Sequence, residues 1–155
     1  MGVVAMQERN ASPIEPTEPV VGGGRVILVV EDRLRLSRAV SYICSYLSLP
    51  MERASADSDL SSLLEQRQPM AVICELDGGL QNGCHVMKTV AQYDPSLPVM
   101  LVTGSDPSLI AAADAVEEIS ALSNLVKLQD VPGIGDIVEF LCGVTDESES
   151  YLRQP

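Results

Sequence analysis

Along residues 25–142 the chain alternates short, nearly all-apolar runs with longer stretches in which apolar residues return every three or four positions. Arg25-Val26-Ile27-Leu28-Val29-Val30, Met70-Ala71-Val72-Ile73-Cys74 and Val99-Met100-Leu101-Val102 are short and show almost no polar alternation. Such runs predict strands buried on both faces, as in a parallel sheet. A weaker run, Met51–Ser55, and a fifth, Leu122–Val126, complete a set of five strands. Between them the period changes to that of a helix with one apolar face. Leu36, Val40, Ile43, Cys44 and Leu47 mark a first helix over 33–48, and Leu60, Leu63 and Leu64 a second. Val86, Met87, Val90 and Ala91 mark a third. Leu109, Ile110, Ala113, Val116 and Ile119 mark a fourth, and Ile134, Ile137, Val138 and Leu141 a fifth. Pro50 closes the first helix, Pro98 introduces the fourth strand, and Gly143 is the expected stop of the last helix.

Five β-α units in this order predict an α/β fold of three layers, a (βα)5 doubly wound parallel five-stranded sheet with right-handed crossovers. Residues 1–24, punctuated by Pro13, Pro16 and Pro19 and closed by Gly22-Gly23-Gly24, read as a flexible N-terminal tail. Residues 25–143 form the expected domain, and 144–155 a fraying acidic C-terminal tail.

Composition narrows the partners. The 155 residues carry 22 Asp+Glu against 10 Lys+Arg, a net charge of −12. Neither nucleic acid nor an anionic membrane surface suits such a chain. No apolar stretch approaches the roughly 18 residues of a membrane span, and no basic start followed by an apolar run marks a signal peptide. Cys44, Cys74, Cys84 and Cys142 are widely spaced, without a C-x-x-C, and read as free thiols of a reducing, cytoplasmic protein.

In a doubly wound sheet, chemistry collects at the carboxyl ends of the strands. Glu31 and Asp32 follow the first strand, Glu75 and then Asp77 follow the third, Thr103 ends the fourth and Lys127 the fifth. Clustered carboxylates repel one another unless a cation sits among them. A hard divalent ion such as Mg²⁺ suits oxygen ligands, and the lysine suits an anionic oxygen or a paired carboxylate.

In this order the residues resemble the receiver domains of two-component response regulators. Ile27-Leu28-Val29-Val30-Glu31-Asp32 is similar to the family's first strand and acidic pair. The segment Glu75-Leu76-Asp77-Gly78-Gly79-Leu80-Gln81-Asn82-Gly83 is similar to the stretch that starts at the phosphoacceptor. Pro98–Gly104 is similar to the fourth strand with its switch hydroxyl, Thr103, and Lys127 falls where the family keeps a lysine. The resemblance spans about residues 25–142. It implies a flavodoxin-like receiver fold, an acidic pocket at Glu31 and Asp32, and a metal set of Glu31, Asp32 and Glu75 with the backbone carbonyl of Asp77. It also implies a protein partner, such as a histidine kinase, a regulator or an output protein, or a homodimer, met through the fourth helix, fifth strand and fifth helix.

The chain departs from the family at its centre. The phosphoacceptor position holds Glu75 where the family has aspartate, Leu128 follows the lysine in place of proline, and Asn124 stands in place of an aromatic switch residue. Gly78-Gly79 replaces a loop proline. Phosphoryl transfer depends on positioning, and a displacement of about 1 Å can cost on the order of 100-fold. The expectation is therefore an atypical receiver, a pseudo-receiver acting by phosphorylation-independent protein contact. It would not be an enzyme and would need no cofactor, although the rim is compatible with Mg²⁺. Glu75 would either pair with Lys127 or Thr103 and hold one conformer, or belong to an inert scaffold. The alternatives are a phosphorylatable Mg²⁺-dependent receiver and a small-molecule-binding pseudo-receiver using Arg33, Arg35 and Arg38. His85, the only histidine, reads as an exposed or packing residue, and Tyr42 and Tyr46 as an exposed side or partner surface of the first helix. Only about a dozen residues follow Cys142, so output is expected in trans.

Overall fold

Three short apolar runs buried from both sides form the centre of one parallel sheet, and two less buried strands flank them. The computed structural model describes residues 25–31, 35–55, 58–75 and 80–153, with the backbone alone at 35, 80–82 and 146–153. Strands β1 (Ile27–Val30), β2 (Met51–Ala54), β3 (Ala71–Glu75), β4 (Val99–Val102) and β5 (Leu125–Leu128) lie in the order β2-β1-β3-β4-β5. Among the described residues five helices alternate with them: α1 (Arg35–Tyr46), α2 (Leu60–Arg67), α3 (Leu80–Tyr93), α4 (Pro107–Ser120) and α5 (Ile134–Arg153). This is the doubly wound (βα)5 arrangement that the alternation predicts.

The pleat divides the core in two. Leu28, Val30, Val72, Cys74, Val99 and Leu101 face α2, α3 and α4, and pack against Leu60, Leu64, Val86, Met87, Val90 and Ala113. Ile27, Val29, Ala71, Ile73 and Met100 face the other way, against Leu36, Val40 and Ile43 of α1 and Ile137, Leu141 and Val144 of α5. The three inner strands are buried at nearly every position, whereas β5 at the edge is covered only in part.

Local chemistry sets the boundaries. Asp59 caps α2 by accepting from Ser62 N at 3.3 Å, and Asp106 caps α4 by accepting from Ser108 N at 2.9 Å, with Pro107 in the first turn. The largest differences from the sequence expectation are at the start of β5 and the end of the last helix. β5 begins at Leu125, not Leu122. Ala121 closes α4 in the left-handed region at φ 62°, and Ser123 N donates to Pro95 O at 2.9 Å, so a turn occupies the start of the expected strand. The last helix runs through Gly143 to Arg153. Gly143 is an interior helical residue and not a stop. Residues 1–24, expected as a tail, lie outside the described residues.

Cys44 and Cys74 are buried, Cys84 is half-buried and Cys142 is exposed. Burial pushes the Cys74 thiol up to about 12, with Cys84 and Glu75 adding to it, and burial pushes Cys44 up to about 11. A thiol-specific disulfide reagent at about pH 8 will label Cys142 first, and Cys44 and Cys74 only after unfolding. Below the ordinary thiol pKa of 9.0 the stabilising effect of these neutral thiols is complete. As pH rises from about 9 towards about 12 the unfolded chain gives up protons that the folded chain keeps, so stability falls. A thermal-denaturation series across that window will show the fall, and Cys74→Ala will flatten it. At Ala121 a glycine removes the left-handed Cβ penalty. Ala121→Gly is expected to gain about 1 kcal/mol and raise Tm by about 3 °C in scanning calorimetry.

Candidate functional site at the carboxyl rim of the sheet

β1 delivers Glu31 to the rim on the side of α1, in step with Ile27 and Val29. Its side chain is fully buried, and it is spent on the helix beneath it. Oε1 accepts from Leu36 N at 3.0 Å and Oε2 from Ser37 N at 2.8 Å. These are donors of the first turn of α1, which have no partner within the helix, and a carboxylate there also meets the positive end of the helix dipole. The remaining charge is met by Arg53 of β2. Its Nε lies 3.6 Å from Glu31 Oε2, and a terminal guanidinium nitrogen donates to Glu31 O at 3.2 Å. Sheet register makes this possible. Val29 pairs with Arg53 and Val30 with Ala54, so Arg53 emerges on the same face as Val29 and Glu31.

The same parity separates the residues expected to meet at the centre. Cys74 pairs with Leu101, and Leu101 with Lys127, so the three stand on the α4 side of the sheet. Glu75 follows Cys74 and therefore leaves β3 on the opposite side. Lys127 is not at the tip of β5 as the sequence reading had it, since the strand runs one residue further, to Leu128. It turns outward to α4, where Nζ bonds Asp114 Oδ1 and lies 2.7 Å from Glu117 Oε1. The hydrogen bonds it donates to Asp114 and then to Glu117 hold the ammonium above its usual pKa. Lys127 makes this pair and not the expected contact with Glu75: its register partner Leu101 puts it on the α4 side, one residue before the end of β5.

Thr103, buried, keeps its place at the end of β4. Its N donates to Leu128 O at 2.8 Å, and its Oγ1 lies 2.9 Å from Gly104 O and 3.3 Å from Leu128 O. The hydroxyl is thus turned to the backbone where β4 and β5 end. Gly104, at φ 73°, adopts a left-handed conformation that favours glycine and turns the chain towards α4. Asn124, at the aromatic's expected position, instead donates from Nδ2 to Ser96 O at 2.8 Å and ties the opposite, amino end of the sheet.

Asp32, Asp77 and Arg33, and the side chain of Arg35, lie outside the described residues. Arg38 and His85 are exposed, the latter with Nε2 3.5 Å from Thr89 Oγ1. Tyr42 and Tyr46 are strongly exposed on α1. The described residues do not fit a divalent-ion site. Both Glu31 oxygens already accept amide protons, a guanidinium stands beside them, and no group of three or more His, Cys, Asp or Glu side chains able to hold a metal occurs among the described residues. Arg53 is the residue that sequence reasoning missed. Its signal was a lone arginine in the short run Met51–Ser55, on a strand predicted to lie in the same parallel sheet as the acidic pair.

No protein-family model matches the chain, and no curated protein matches it. Solved structures do. A CheY-like response regulator receiver domain protein from Methanospirillum hungatei superposes with a TM-score of 0.64 at 14% identity, over 83% of this chain and 98% of that one. The chemotaxis protein CheY4 of Vibrio cholerae gives 0.61 at 15% identity, over 78% and 98%. The C-terminal part of E. coli RcsC, containing a linker region and phosphoreceiver domain, gives 0.64 at 15% identity, over 99% and 59%. Likeness at such identity speaks to architecture: the chain has the flavodoxin-like fold of response-regulator receiver domains.

Proposed function

We propose that this chain is an atypical receiver domain of two-component signalling, cytoplasmic, without enzymatic activity, which acts by protein contact without phosphorylation and without need of a divalent ion. The observation that carries the reading is that two charged residues of the rim, Glu31 and Lys127, are satisfied from within the described residues. Glu31 is held by α1 and Arg53, Lys127 by Asp114 and Glu117, and Thr103 lies against β5. A phosphoryl group on β3 would need positive charge beside it, whereas Lys127 is committed to Asp114 and Glu117, and Glu75 carries one methylene more than an aspartate acceptor. The surface of α4, β5 and α5 supports contact with a regulator, a kinase or an output protein. It exposes Ile119, Val126 and Ile134, and no helix of the described residues is long and apolar enough to cross a membrane.

Incubation with acetyl phosphate and Mg²⁺, followed by intact-mass and peptide mass spectrometry, is expected to leave Glu75 unmodified. Glu75→Asp is expected to stay unmodified as well, because Lys127 and Glu31 keep their partners. An acyl phosphate on Glu75 would falsify the reading, and one on the variant would show a competent rim lacking only its acceptor. The internal charge pair has its own test. Arg53→Ala leaves Glu31 a buried anion, a loss of about 3–5 kcal/mol for a fully buried pair. The partial exposure of Arg53 reduces this to about 1–3 kcal/mol in urea denaturation. Arg53→Ala with Glu31→Gln is expected to cost less than the sum of the two single changes.

A further inference from the structure

The sheet is incompletely covered between β5 and α5. Where α5 crosses β4 and β5, residue 143 is glycine, and nothing lies within 4 Å of where its Cβ would stand. The result is a groove of about 500 Å³ between β5 and α5, within the roughly 300–1,000 Å³ of ligand-sized sites. Its apolar floor includes Met100, Val126, Leu128 and Phe140, and Val126, which shares the α5 side with its register partner Met100, is 41% exposed.

The electrostatics of this groove select its occupant. Asp136 and Glu139 of α5 line it, and no lysine, arginine or histidine does. Asp136 Oδ2 accepts from Gly133 N at 3.0 Å, whereas the Glu139 carboxylate, on the exposed side of the helix, has no partner among the described residues. The nearby cation of β5, Lys127, faces the other side of the sheet and is held by Asp114 and Glu117. A second copy of this chain, at net charge −12, brings like charge to the groove. Residues 1–24 also fit poorly, since they carry Glu8, Glu15 and Glu18 against Arg9.

We infer that the groove between β5 and α5 is a docking site for a cationic, apolar-anchored segment of a partner protein, an aliphatic side chain seated over Val126 and Phe140 with a neighbouring arginine or lysine on Glu139 and Asp136. This rests on the proposal that the domain acts by contact through this face, and adds the chemistry of the partner. Cationic steering towards an acidic rim speeds association and is weakened by salt.

The test is an NMR titration of the full-length, isotope-labelled chain with two synthetic peptides, one of alternating leucine and arginine and one with glutamate in place of arginine. The arginine peptide is expected to shift the amide signals of Val126, Phe140 and Gly143, and the glutamate peptide to leave them in place. Glu139→Lys is expected to weaken binding by about tenfold or more. Gly143→Leu fills the groove and is expected to abolish binding. It replaces a glycine inside a helix, so the fold is retained. Equal response to both peptides, or shifts confined to another face, would overturn the inference. So would signals of residues 1–24 released by the peptide, or a dimer in sedimentation that Gly143→Leu disperses, since each identifies an occupant from this chain. The phosphorylation test stands apart. A phosphorylated Glu75 with intact peptide binding fails the functional reading and keeps the groove, and an unmodified Glu75 without peptide binding does the reverse.

Discussion

The pleat of five parallel strands sets the side of the sheet on which every rim residue stands, and the chemistry of the rim follows from that parity. Partners across a parallel ladder point the same way, so the register chain from Cys74 through Leu101 to Lys127 sends the lysine towards α4. Glu75, one residue after Cys74, departs on the other side. Val29 and Arg53, partners in β1 and β2, bring the guanidinium and Glu31 together. A slip of one residue in either edge strand would exchange these neighbours and expose the apolar ones.

What results is that Glu31 and Lys127, two charged residues of the rim, are balanced by side chains and backbone donors. Glu31 is buried and would be expensive alone, yet two helix N–H groups and a guanidinium meet it. The same contacts tie together β1, the start of α1 and the edge strand β2. Lys127 similarly fastens β5 to α4, and Thr103 meets the last carbonyl of β5 from the end of β4.

Much of this was legible in the chain. The three inner strands are continuous apolar runs, so their existence follows from the pattern and their parallel pairing from the alternation with helices, and Val99–Val102 begins and ends where the pattern says. Glu31 and Thr103 stand at their strand ends as read. The edge was harder. β5 is only partly buried, its apolar signal is spread over Leu122–Leu128, and the left-handed turn at Ala121 decides where it starts. The strand also ends later than its apolar signal, at Leu128, so Lys127 lies within β5 and not at its tip. Arg53 escaped because neighbours across a sheet are far apart in sequence, and nothing within β2 names β1 as its partner. Gly143 suggested a stop, but an exposed glycine inside an otherwise amphipathic helix is tolerated at the cost of about 1 kcal/mol.

The edge strands have a further consequence. An unpaired strand edge is a template for another sheet, and proteins blunt it with short strands and charge. Both edges here are four residues long, and each carries charge near its middle: Glu52 and Arg53 in β2, Lys127 in β5. Each of these side chains is in turn anchored by an ion pair. The pairs that arrange the rim therefore also act as guards against fibrous self-association, so that replacing Lys127 by an apolar residue would remove an anchor and a guard together.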